Sequence, residues 1–307
     1  MSSTDTYPGV LHRISPPLVA FEHGKNPKSQ AFDTVVFLGG LCDGLLTVPY
    51  VPHIVSALPS SWALVEPILS SSNRQFGIAS LGEDVAQIAQ LVEYFRTLRP
   101  EGKVVLLGHS TGSQQIMHYS IHPGSRPEID GAIFQASVSD REALATFLSS
   151  DDYQSTCAIA QSYISEGRGE DILPFKATIS SFQTAPCSAR RWMSLASPGP
   201  DHEGEDDYFS SDFDDERLKN IFGELGKTGK RISFLYSGSD QYVPSTIDKS
   251  KLVEKWHEHV RRGGAIDEES GVVRGATHTL KEGGQPLESL VGRIVGFLER
   301  LKKVDNQ

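Results

Sequence analysis

Three residues far apart in this chain have the types needed to cleave an acyl bond: Ser110, Asp240 and His278. Ser110 is the centre of Gly108-His109-Ser110-Thr111-Gly112, a G-x-S-x-G pattern in which small residues permit a very tight turn. A serine hydroxyl is a poor nucleophile at neutral pH and needs a base to take its proton. Asp240 follows a strand-like run in Ser237-Gly238-Ser239-Asp240-Gln241-Tyr242-Val243-Pro244, and His278 follows the last one in Gly275-Ala276-Thr277-His278-Thr279. The order serine, carboxylate, histidine suits a sheet with a nucleophile turn, the imidazole accepting the proton and the carboxylate orienting the ring. Taken singly, Asp240 also reads as a helix-capping turn residue and His278 as a structural histidine.

Acyl chemistry further requires donors for the developing oxyanion. The backbone N–H of Thr111, next after the serine, is one candidate. The glycine-rich stretch Gly39-Gly40-Leu41-Cys42-Asp43-Gly44 supplies the other, with the Leu41 N–H favoured. Cys42 reads as a buried small residue rather than a second nucleophile. His257 and His259 fall inside a helix and diverge, so they form no helical metal pair. No metal or organic cofactor is expected.

Positioning these groups requires strands that end at a common edge. Residues 9–14, 18–22 and 34–39 read as strands, the third through the unbroken apolar run Val35-Val36-Phe37-Leu38 of a sheet covered on both faces. Residues 62–69, 104–107, 132–136, 232–237 and 272–275 continue the set. Helices are expected over 81–98, where Leu81, Val85, Ile88, Val92, Phe95 and Leu98 share a face behind a Ser80/Glu83 capping box. Others fall at 112–121, 141–148, 190–196, 216–225, 245–260 and 287–301, with Pro244 suiting the first turn of the 245–260 helix, the sixth counting from 81–98. Strands alternating with helices predict an α/β chain with a mostly parallel central sheet. The alternation lapses between 140 and 230. The expectation is therefore a core of residues 1–139 and 231–307 with an inserted cap at 140–230, in which Phe175, Phe182, Trp192 and Tyr208 are possible wall residues.

The 307 residues are 38% apolar, enough for one large domain with such an insertion. Three cysteines in no metal-like spacing, a polar N-terminus (residues 1–9) and the lack of any long apolar run predict a cytoplasmic protein without disulfides or a membrane span. The net charge of −10 is concentrated: residues 201–216 hold nine carboxylates and no Lys or Arg. A nucleic-acid partner is thereby disfavoured, since phosphate binding needs a basic stripe. The acidic stretch reads as a solvated mobile loop, or alternatively as a rim drawing cationic substrates to the site.

With Gly39-Gly40-Leu41, the Ser110 pentapeptide, Asp240-Gln241-Tyr242-Val243-Pro244 and His278 in place, the sequence resembles the α/β-hydrolase superfamily over nearly its whole length. More narrowly, Phe37-Leu38-Gly39-Gly40-Leu41-Cys42-Asp43-Gly44 and Gly108-His109-Ser110-Thr111-Gly112-Ser113-Gln114 resemble a fungal family long labelled as of unknown function. Its characterised members are siderophore esterases. The resemblance implies a small-molecule ester substrate, with hydrolysis of the esters joining N5-acyl-N5-hydroxyornithine units in fusarinine-type siderophores and release of iron inside the cell. Gly39-Gly40 stands where lipases frequently have His-Gly, which leaves the second oxyanion donor open. A general carboxylesterase or thioesterase, and a ligand-binding protein on the same fold, are compatible with the same residues.

Overall fold

In the computed structural model, which describes residues 5–24, 32–122, 124–199 and 201–303, β1 (Gly9–Ser15) and β2 (Leu18–His23) form an antiparallel hairpin at one sheet edge. The first four residues of the polar N-terminal stretch lie outside the described residues. The chain continues through β3 (Asp33–Leu38), α1 (Val51–Ala57), β4 (Trp62–Ile68), α2 (Leu81–Leu98), β5 (Val104–His109), α3 (Thr111–Ile121) and β6 (Gly131–Gln135). Four helices follow, α4 (Asp140–Phe147), α5 (Ser150–Ser165), α6 (Phe175–Phe182) and α7 (Ala189–Ala196). Next, α8 (Asp215–Leu218) runs through a π-helical segment, Lys219–Gly223, into α9 (Glu224–Lys227). The chain closes with β7 (Arg231–Ser237), α10 (Lys249–Val260), β8 (Ala265–Ile266), β9 (Gly271–Val273) and α11 (Gly284–Lys303).

The strands lie in the order β1-β2-β4-β3-β5-β6-β7-β8, with β9 also paired to β7. Pairing from β4 through β3, β5, β6 and β7 is parallel, so these strands end at one edge. Alternate side chains of each central strand enter opposite cores, as the two-residue period of a strand dictates. Val36, Leu38, Leu106 and Phe134 face the layer of α2, α3 and α10, whereas Val35, Phe37, Leu107 and Ile133 face α1 and α11. This two-sided burial explains why the strands were readable as continuous apolar runs. The Ser80/Glu83 capping box is present at α2. At the sixth expected helix the start is later than 245: Asp248 caps it by accepting the Lys251 N–H, and Pro244 lies in the preceding turn.

Between β6 and β7, α4–α7 enclose a third apolar cluster with Phe76, including Leu144, Leu173, Trp192 and Leu195. Tyr208, Phe209, Phe213, Ile221 and Phe222 instead join the core beside α3 and α10. No described helix is long and apolar enough to cross a membrane.

Candidate active site

Ser110 sits between β5 and α3 with φ 53° and ψ −121°, a conformation that costs a non-glycine residue on the order of 1–3 kcal/mol. The flanking glycines make the turn possible. A Cβ on Gly108 would lie 2.4 Å from the Gly112 carbonyl, and one on Gly112 would lie 2.2 Å from the Leu38 oxygen. The Ser110 N–H donates to the Gln135 carbonyl at 3.0 Å, fixing the turn to β6. Thr111 is the first residue of α3, so its N–H is among those a helix start leaves without an intrahelical acceptor.

His278 Nδ1 donates to Asp240 Oδ2 at 2.7 Å, both side chains being buried. The loop carrying Asp240 is held at several points. Lys249 Nζ donates to the carbonyls of Gly238 and Asp240 at 3.0 and 3.2 Å, and the Tyr242 N–H donates to Asp240 Oδ1 at 3.0 Å. The His278 N–H donates to Gln241 Oε1 at 3.2 Å, and the Tyr242 ring meets the imidazole edge-on at 4.5 Å. Beneath them, Gln135 Oε1 accepts from Tyr50 Oη at 2.7 Å and His109 Nδ1 at 2.6 Å, while its Nε2 donates to Ser237 Oγ at 3.1 Å. Burial first, and the nearby His278 second, push His109 down to about 4, so it is neutral at physiological pH.

Ser110 and His278 face one cavity of about 660 Å³, whose wall also includes Gly40, Leu41, Cys42 and Asp43. The expected residues Leu41, Ser110, Thr111, Asp240 and His278 are thus gathered at the strand ends, Leu41 and Ser110 on the cavity wall. Cys42 is exposed rather than buried, at φ 67° in the turn. Partial burial and then Asp43 raise its thiol, which disfavours the nucleophilic thiolate. His257 and His259 are buried partners of Ser270 and Asp215, remote from this wall. No cluster of metal-ligating side chains occurs among the described residues.

Of the four expected wall residues only Phe182 lines the cavity. Trp192 is fully buried with its Nε1–H on Cys157 Sγ at 3.3 Å, and Tyr208 Oη bonds His118 and His122. Phe175 is half exposed and faces away. The cavity adds Tyr242, and also Asn73, Arg74, Phe76, Asp140, Leu144 and Phe147, which no motif contained. Only Tyr242 had a usable signal, its place two residues after Asp240.

Residues 201–216 are a solvated surface only in part, and none of them lines the cavity: Asp201, Glu203, Asp212, Asp214, Asp215 and Glu216 are exposed, whereas three carboxylates turn inward. Asp206 is buried in an ion pair with Arg191 at 2.5 Å, and Asp207 is buried against Ser197 and Ser210. Glu205 accepts the N–H groups of Leu81 and Gly82 at the start of α2, and Asp214 caps α8. Glu205 and Asp206 thus bind a helix start and an arginine within the protein, and Asp207 binds two buried serines. Asp140, outside that stretch, is the buried carboxyl on the cavity wall. Its Oδ2 accepts from Gln114 Nε2 at 2.9 Å, and burial, followed by Asp206, pushes it up to about 8.

A mostly parallel sheet with a strained serine turn, a histidine–carboxylate pair at the same edge and helices on both faces defines an α/β-hydrolase. The chain belongs to the family described as "Protein of unknown function (DUF1749)", whose model matches residues 1–299. It is 37% identical to "Esterase AN6793" of Emericella nidulans, over 95% of this chain and 92% of that protein. It is 35% identical to "Fusarinine C esterase sidJ" of Aspergillus fumigatus, over 96% and 97%. The solved "Siderophore hydrolase EstB from Aspergillus fumigatus" superposes with a TM-score of 0.86 at 34% identity, over 98% of this chain and 99% of that one. The protein is an ester-hydrolysing enzyme.

Proposed function

We propose that this chain is a cytoplasmic serine esterase that hydrolyses the ester bonds of fusarinine-type hydroxamate siderophores, releasing their iron inside the cell. The observation that carries the reading is the 2.7 Å bond between His278 Nδ1 and Asp240 Oδ2, with the imidazole facing the cavity that Ser110 enters. The names of two similar proteins, a fusarinine C esterase and a siderophore hydrolase, support the substrate class.

With Nδ1 protonated and bonded to Asp240, His278 presents a basic Nε2 to the Ser110 hydroxyl. Nε2 takes the proton as Oγ attacks the ester carbonyl, and the buried carboxylate stabilises the imidazolium. The N–H groups of Thr111 and Leu41 hold the tetrahedral oxyanion. His278 returns the proton to the leaving alkoxide, giving an alcohol and an acyl-Ser110 ester. Water then attacks that ester with the same proton transfers, leaving a carboxylic acid and free serine. No step calls for a metal or organic cofactor; iron enters as cargo of the substrate.

The test is incubation of ferric fusarinine C with wild type and with Ser110→Ala, followed by mass spectrometry. Linear hydroxyornithine esters are expected from wild type alone, the variant losing on the order of 10⁴-fold or more in rate. Cleavage of a simple aryl ester without any of the siderophore would discard the substrate assignment. Equal turnover by Ser110→Ala would discard the nucleophile.

A further inference from the structure

The stretch between β3 and α1 is tied together by one side chain to which the sequence assigned no role. Asp43 Oδ2 accepts the Gly40 N–H at 2.7 Å, and its Oδ1 accepts from Thr47 Oγ1 at 2.9 Å. Its own N–H donates to the Gly40 carbonyl at 3.1 Å, and its carbonyl accepts the Asn73 N–H at 2.7 Å. Thr47 Oγ1 in turn accepts the Gly44 N–H at 3.0 Å. Farther along, Glu66 receives the Leu46 N–H at 3.2 Å and is itself bonded to buried His23 at 2.6 Å. The turn is therefore fastened at both ends as well as across its middle.

This fastening lies directly over the reacting serine. A Cβ added to Gly40 would come within 2.8 Å of Ser110 Cβ, 3.2 Å of Ser110 Oγ and 3.3 Å of Asp43 Oδ2. With its N–H committed to Asp43, Gly40 offers none to a substrate oxygen. The Gly40 carbonyl and the Leu41 N–H belong to a single planar trans peptide, in which they point in opposite directions. The Asp43 N–H drawn onto that carbonyl turns the Leu41 N–H away from Asp43, and the side-chain bonds to the Gly40 N–H and Thr47 pin both ends of this short turn so that the plane stays set.

Building on the acyl-transfer reading above, we propose that Asp43 is a positioning residue, whose bonds to Gly40 and Thr47 hold the Leu41 N–H in the orientation that receives the oxyanion. Asp43 touches no reacting atom. Its contribution is to keep a donor aimed before charge develops, which makes preorganised donors effective.

The experiment compares wild type, Asp43→Ala, Asp43→Asn and Thr47→Val as full chains. Readouts are steady-state hydrolysis of p-nitrophenyl acetate, the rate of Ser110 capture by a fluorophosphonate and the melting temperature. Asp43→Ala is expected to lower kcat by about ten- to hundredfold, less than outright loss of a donor, with KM within about twofold and capture slowed in proportion. Asp43→Asn, whose Oδ1 can still accept the Gly40 N–H, restores most of that loss. Thr47→Val, which leaves the Gly40 N–H bond in place but frees the second carboxylate oxygen and the Gly44 N–H, lowers kcat by about three- to tenfold. If Asp43→Ala does not fold, the Asn and Val variants carry the test. Wild-type kcat and capture in Asp43→Ala, an effect confined to KM, or equal losses in the Ala and Asn variants would overturn the role of Asp43. Failure of the fluorophosphonate to label Ser110 in wild type would instead overturn the serine-esterase reading itself.

Discussion

The proposed triad of Ser110, Asp240 and His278 could be picked out in the sequence because acyl transfer demands particular side chains in a particular order. Asp43 and Asp140 could not, since what matters about them is which backbone or amide group they meet in three dimensions. Two outcomes belong to this scale. Asp240→Asn should keep the fold but lower kcat on the order of 10⁴-fold, because an amide no longer fixes the imidazole tautomer; a loss below tenfold would remove Asp240 from the proposed mechanism. Asp140 bears on stability against pH. In the folded protein it titrates near 8, because of burial and then Asp206, with Arg191 opposing and Asp207 adding to the rise. In the unfolded chain an aspartate titrates near 4. Between those values the folded protein holds a proton that the unfolded chain has released, so stability falls as pH rises. The melting temperature of Asp140→Asn relative to wild type should therefore climb from pH 4 to pH 8. A constant difference across that range would contradict the assignment.

At the scale of elements, the sequence was most legible where burial is two-sided or strictly periodic. β3, β5 and α2 fell within a residue or two of their expected ends. The helix α5 escaped because the buried residues on its inner face are Thr156, Cys157 and Ala160, too small to make an apolar stripe. α1 is seven residues long with a proline in its first turn, and gives no period to read. Close contact between elements sets the third expected outcome. Gly112→Ala would drive a methyl group into the Leu38 carbonyl, where backbone cannot yield, and Gly108→Ala would do so into Gly112 itself. Each should cost about 3 kcal/mol or more and lower the melting temperature by about 5 °C or more. Calorimetry showing wild-type melting for either would mean that the turn is less tight than described.

For the whole molecule, composition misled in one respect. A run of nine carboxylates looks like solvated surface, and six of the nine are exposed, yet Asp206 pairs with Arg191 15 residues earlier and Glu205 with Gly82 123 residues earlier. No local pattern records such pairings. Arg191 also donates to the Phe76 carbonyl at 2.9 Å, so one guanidinium joins α7 to the segment after β4 and to the acidic stretch. Arg191→Met would leave Asp206 buried without its counter-charge and should cost about 3–5 kcal/mol in urea unfolding, with a smaller loss when Asp206→Asn is added. A single-variant loss below about 1 kcal/mol would show that the pair does not hold these segments together.

The cavity wall has two origins, and this bears on how the protein can change over generations. Its floor, Gly40, Leu41, Ser110 and His278, comes from turns at the ends of the sheet, where a methyl group added at Gly40, Gly108 or Gly112 collides with the serine or with backbone. Its roof, Asp140, Leu144, Phe147 and Phe182, comes from α4 and α6, where Phe147 is half exposed at the cavity and Ile179 faces water. Mutation can remodel that roof side chain by side chain while the floor tolerates almost none. Lineages sharing one reaction can thus diverge in the molecules they accept, and a laboratory library confined to α4 and α6 would follow the same route.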